Sequence, residues 1–155
     1  MEDSLRQIIT NFLGEKEAHA SLREAVKDFP LDLINAQPPN VPYTFWHLLE
    51  HIRIAQWDIL EYIKNPKHQS PDWPEGYWPK KSAKTDEAGW QKTLDQYEKD
   101  RKELVKIVSD PKTDALKEVP HMQGNTILRE AILVIDHSAY HIGEFSILRQ
   151  VMNAW

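Results

Sequence analysis

The sequence predicts an all-α domain, a four-helix bundle whose second and third helices are joined by a long crossover. Two observations predict it. All ten prolines fall into three clusters: Pro30, Pro38, Pro39 and Pro42; Pro66, Pro71, Pro74 and Pro79; Pro111 and Pro120. Proline is excluded from helix interiors, so the clusters mark connections. They leave four proline-free segments, roughly Asp3–Lys27, Tyr43–Lys64, Thr85–Ser109 and Asn125–Met152. Each is long enough for a helix of about 30–40 Å. Strand signals are also missing: there is no Asn-Gly or Asp-Gly turn and no sustained alternation of branched residues.

The first segment carries Leu5, Ile8, Ile9, Phe12, Leu22 and Val26 at helical spacing and reads as one amphipathic helix. The second opens on Tyr43 and runs to the Pro/Trp-rich stretch Asn65–Pro79, which holds Trp73, Tyr77 and Trp78. In the third, Thr85 reads as an N-cap with Asp86 and Glu87 in the first turn, ahead of Trp90, Leu94, Tyr97, Leu104, Val105 and Val108. Gly124-Asn125-Thr126 offers a cap for the fourth.

At 155 residues, 41% of them hydrophobic, the chain makes a single domain spanning residues 1–155. Lys+Arg number 19 against 24 Asp+Glu, a net charge of −5 with no basic stripe, which argues against a nucleic-acid partner. No apolar run approaches the roughly 20 residues of a membrane span, and Met1-Glu2-Asp3-Ser4 is acidic rather than a basic leader. The expectation is a soluble, cytoplasmic protein with no membrane partner. Cysteine is absent, which removes disulfides, thiolate nucleophiles and Cys-type zinc sites together. Any metal must rest on His, Asp and Glu, and seven histidines are present.

On a helix of about 100° per residue, His137 and His141 fall on one face with Glu130, Val134, Glu144 and Leu148, in what reads as the inward stripe of the fourth helix. The i, i+4 spacing brings two imidazoles within reach of one ion. The second helix repeats the arrangement, with His47 and His51 aligned with Thr44, Ala55, Asp58 and Tyr62. Two inward histidine pairs on different helices point either to a metal site with open coordination positions or to a buried network of His, Asp58, Glu130 and Glu144 that fixes helix register.

The run Tyr43-Thr44-Phe45-Trp46-His47-Leu48-Leu49-Glu50-His51, continuing to Asp58, resembles the DinB-like (YfiT-like) superfamily of bacterial metal-binding four-helix bundles. So does Asp136-His137-Ser138-Ala139-Tyr140-His141-Ile142-Gly143-Glu144, with Leu148-Arg149. The resemblance covers essentially the whole chain. It implies a divalent ion, typically zinc or nickel, held by His51, His137 and His141. Where many relatives have Asn, this chain has Ser138, which lies off the ligand face. The role of His47 stays open between a fourth ligand, a group behind the ligands, a substrate contact and a hydrogen-bonded core histidine.

Characterised members include thiol S-transferases, and the resemblance therefore implies a metal-dependent transferase. In it a low-molecular-weight thiol is activated for attack on an electrophilic substrate. The alternatives are a metal-dependent hydrolase with Glu144 or Asp58 as base, and a non-catalytic metal- or ligand-binding bundle. Glu144, Asp58 and His47 are the weak catalytic candidates, with Glu130 weaker still. His19 is expected to face inward and His68 and His121 to lie at the surface, while Trp73, Tyr77 and Trp78 either roof a pocket or pack a long loop. Leu128, Ile132, Ile135, Ala139 and Ile147 on the other face of the fourth helix suggest a homodimer.

Overall fold

Thr44, Asp86 and Thr126 each start a long helix by turning a side-chain oxygen back onto the backbone N–H three residues on: His47, Gly89 and Arg129 respectively. The computed structural model describes residues 1–15, 18–122 and 124–155. Its elements are α1 (Asp3–Leu13), α2 (Leu22–Ala25), α3 (Phe45–Lys64), α4 (Glu87–Ser109) and α5 (Ile127–Val151), with short 3-10 turns at Leu31–Leu33, Glu75–Tyr77 and Pro120–Met122. No strand is formed among the described residues beyond an isolated bridge between Glu118 and Thr126. α1, α3, α4 and α5 are the four long helices, and the crossover of residues 65–86 joins α3 to α4. None of the described helices is long and apolar enough to cross a membrane.

The first predicted helix is two. Gly14 closes α1, its N–H donating to Thr10, and Glu15 turns the chain at φ 53°. Ser21 and Glu24 then form a reciprocal capping box that opens α2. A glycine at the end of one turn and a capping box shortly after it favour a break over continuation. Residues 16–17 of the predicted helix lie outside the described residues. The cap of α4 is Asp86 rather than Thr85, whose backbone instead exchanges two hydrogen bonds with the Asn35 side chain.

Two buried clusters form the core. Phe29, Phe45, Trp90 and Phe145 centre the first, with Phe29 stacked on Trp90 at 5.3 Å. Ile59, Leu60, Ile63, Leu104, Val108 and Val134 centre the second. On α5 the buried residues are Glu130, Ala131, Val134, Ser138, Ile142, Phe145 and Arg149. Ser138 is therefore at the centre of the inward face, about 80° round the helix from the centre of the expected one. His137 and His141 occupy the half-buried edge of that face. Ile132 and Ile147 are exposed, and Leu128, Ile135 and Ala139 are half-buried.

Charged side chains tie the ends. The Arg6 guanidinium donates to the carbonyls of Val108, Asp110 and Thr113, where α4 leaves unpaired carbonyls at its negative end. Arg149 donates to Ala25 and Ala154. Glu15 accepts from Tyr97 and Arg101 and from the Leu22 N–H, which holds the α1–α2 connection to α4.

Candidate metal centre

His51 on α3 and His137 and His141 on α5 meet at their Nε2 atoms. His51 Nε2 lies 3.1 Å from that of His137 and 3.2 Å from that of His141. These three form a group whose ligand atoms all lie within 4.8 Å of one another, close enough to hold one metal ion. The i, i+4 spacing on α5 sets its two rings 4.6 Å apart, and the packing of α3 beside α5 delivers the third.

The far side of two rings is fixed. His51 Nδ1 donates to the Tyr77 carbonyl at 2.9 Å, and His141 Nδ1 faces Glu144 Oε2 at 2.6 Å. A carbonyl only accepts, so in neutral His51 the proton sits on Nδ1 and Nε2 carries a lone pair. Burial is the main cause of a His51 pKa lowered to about 4, partly offset by the Tyr77 bond. Burial, then the neighbouring His141 and His51 rings, takes His137 down to about 3. Burial thus favours the neutral form of His51 and His137, and the Nε2 atoms of the three rings converge on one point, the donor set a divalent cation requires.

Glu144 is held by His141 and by the Tyr43 hydroxyl. Burial, the largest single effect, raises its carboxyl, but these two hydrogen bonds and the electrostatic pull of His141 and His51 together outweigh it and keep the group below the usual carboxylate range. Burial and the same carboxylate push the Tyr43 phenol up, so it remains a donor. Above the cluster, Trp78 lies flat on His51 and stacks on Tyr43 at 4.9 Å. Trp78 and Tyr77 thus cover the site, whereas Trp73 is 74% exposed.

The other histidines do not join the cluster. His47 is 3% exposed, with Nδ1 accepting from the Thr44 N–H at 3.4 Å and Nε2 on the Ala83 carbonyl at 2.9 Å. Asp58 is buried beneath the crossover, where His68 and Tyr77 each occupy one oxygen. His68 and His121 are therefore not free surface groups: the first is buried on Asp58, and the second meets the Tyr62 carbonyl at 3.0 Å. His19 faces outward in the α1–α2 connection, since α1 ends at Leu13. Glu130 is buried near the start of α5 and pairs with Arg129, two turns from His137.

Sequence reasoning missed the hydroxyl of Tyr43 and the carbonyls of Tyr77 and Ala83. Tyr43 had a signal, since it stands immediately before the Thr44 cap and a cap residue's neighbour is placed at the helix mouth. The carbonyls had none.

Comparisons with curated proteins and with solved structures find no match. A family model described as the DinB superfamily matches residues 16–145, from the α1–α2 connection through both histidines of α5. The match takes in most of the chain, the helical bundle agrees with it, and the protein belongs to the DinB superfamily.

Proposed function

We propose that the chain is a divalent-metal-dependent thiol S-transferase, with zinc or nickel held by His51, His137 and His141. One observation carries the metal part. Outward ring nitrogens are engaged by Tyr77 and Glu144, which leaves the converging Nε2 atoms to act as ligands. Three protein ligands match catalytic sites, which keep a coordination position open, rather than closed structural ones.

The ion supplies Lewis acidity that favours the thiolate of a small thiol at neutral pH. The chain itself has no cysteine, so the reacting sulfur must come from a cosubstrate. Glu144 keeps the His141 ring in register and accepts the Tyr43 proton in a hydrogen bond, which sets a neutral phenol at the rim of the site. Trp78 and Tyr43 form an aromatic wall that excludes water from one side and offers a face to an electrophilic substrate.

Elemental analysis of the untagged protein tests this reading, with His137→Ala as control. About one divalent ion per chain, lost in the variant, is expected. Turnover of an electrophile that depends on an added low-molecular-weight thiol then separates transfer from hydrolysis. A folded chain that neither carries nor takes up zinc or nickel overturns the metal assignment.

A further inference from the structure

We propose that Asp58 and Tyr77 are positioning residues for His51: the carboxylate anchors the tyrosine, and the tyrosine's own carbonyl holds the imidazole. The inference rests on the metal reading above for its functional meaning, but its geometry stands without it.

Asp58 follows His51 by about two turns on the same face of α3. It is 7% exposed, and a carboxylate so buried requires donors. Both come from the crossover: His68 Nε2 at 2.7 Å on Oδ1 and the Tyr77 hydroxyl at 2.6 Å on Oδ2. His68 is in turn edge-on to Trp57 at 5.4 Å, which limits its movement. Tyr77 is thereby gripped at both ends, its hydroxyl on Asp58 and its carbonyl on His51 Nδ1. The next residue, Trp78, is the one that lies on the His51 ring.

One clasp therefore sets three properties of His51. The carbonyl fixes the proton on Nδ1, the indole fixes the ring plane, and together they aim Nε2 at the two α5 histidines. Asp58 touches none of the converging nitrogens, so it acts through Tyr77 rather than on a substrate. No other side chain among the described residues donates to this carboxylate.

The test uses Tyr77→Phe, which removes one hydroxyl, and Asp58→Leu, which keeps a branched side chain but offers no acceptor. Thermal melts establish that each is folded, and Tyr77→Phe carries the test if Asp58→Leu is not. Long-range ¹H–¹⁵N correlation on the metal-free protein reads the His51 tautomer directly. The parent is expected to hold Nδ1–H, and the variants to lose that preference. Zinc alone, titrated against a competing chelator, is expected to bind the variants about tenfold more weakly. The double variant should be no worse than the weaker single one, because the two residues act as a unit.

A parent and variants with the same His51 tautomer overturn the proposal, even if the parent binds zinc. Additive losses in the double variant overturn it too, since they mean independent structural roles. A tautomer that shifts in the variants of a parent that binds no zinc sustains the positioning role and removes the metal reading instead.

Discussion

The indole of Trp78 lies flat on the imidazole of His51, with 3.9 Å between ring centroids and 4° between planes. The contact joins the crossover to the residue of α3 that reaches the α5 histidines. Aromatic pairs are worth about 0.5–1.5 kcal/mol beyond their buried area. Trp78→Ala should therefore weaken zinc binding by about two- to tenfold, and Trp78→Phe by less. Competition titration measures both. Equal affinities for the parent and both variants would separate the wall from the site.

His47 and His51 are one turn apart on α3, yet only His51 joins the cluster. His47→Ala should leave the metal content at the parent level. It should lower stability by about 1–3 kcal/mol, because a buried imidazole is lost together with its hydrogen bond to the half-buried Ala83 carbonyl. Denaturant unfolding and elemental analysis on the same sample check the pair of outcomes. Loss of metal in a folded His47→Ala would make this histidine a ligand.

Glu144 should matter to the ion without touching it. Glu144→Gln replaces the carboxylate that holds His141 Nδ1, and zinc affinity should fall about 10–100-fold. Tyr43→Phe, one hydrogen bond further out, should cost less. A Glu144→Gln protein with parental zinc affinity would reduce the residue to a packing role.

The metal-free protein should lose stability in mild acid. The unfolded chain takes up protons on His51 and His137 near pH 6.5, whereas the folded chain does so only near 4 and 3. Between these values the unfolded state binds more protons, so stability is fully present above about pH 6.5 and declines as pH falls. Tm should drop between pH 7 and 5, and His137→Gln should flatten that slope. An unchanged slope in the variant would place the protons elsewhere.

Much of this architecture was legible from particular residues. Proline clusters separated the long helices, and the cap of α5 was legible in Gly124-Asn125-Thr126, whereas Thr44 was read as part of an inward face rather than as the cap of α3. Helical spacing set His47 and His51 against His137 and His141, and the family resemblance alone singled out His51 as the partner of the α5 pair. The inward face of α5 was not legible, because Ile132, Ile135 and Ile147 make that helix apolar on nearly every side. Arg6 and Arg149, buried on backbone carbonyls, were hidden because a sequence does not show where carbonyls point. The same blindness concealed why His47 and His51 differ: each ring meets a carbonyl of the crossover, His47 through Nε2 and His51 through Nδ1.

That difference has a thermodynamic consequence. His51 offers one nitrogen to the crossover and the other to the α5 histidines, so one ring belongs to two equilibria. Whatever free energy an ion gains from an ordered crossover, the crossover must regain from the ion, since coupling between two binding events is reciprocal. Occupancy of the centre and shielding of residues 65–86 from hydrogen exchange should then rise and fall together. A cofactor site would in this way report its own filling to the surface of the protein.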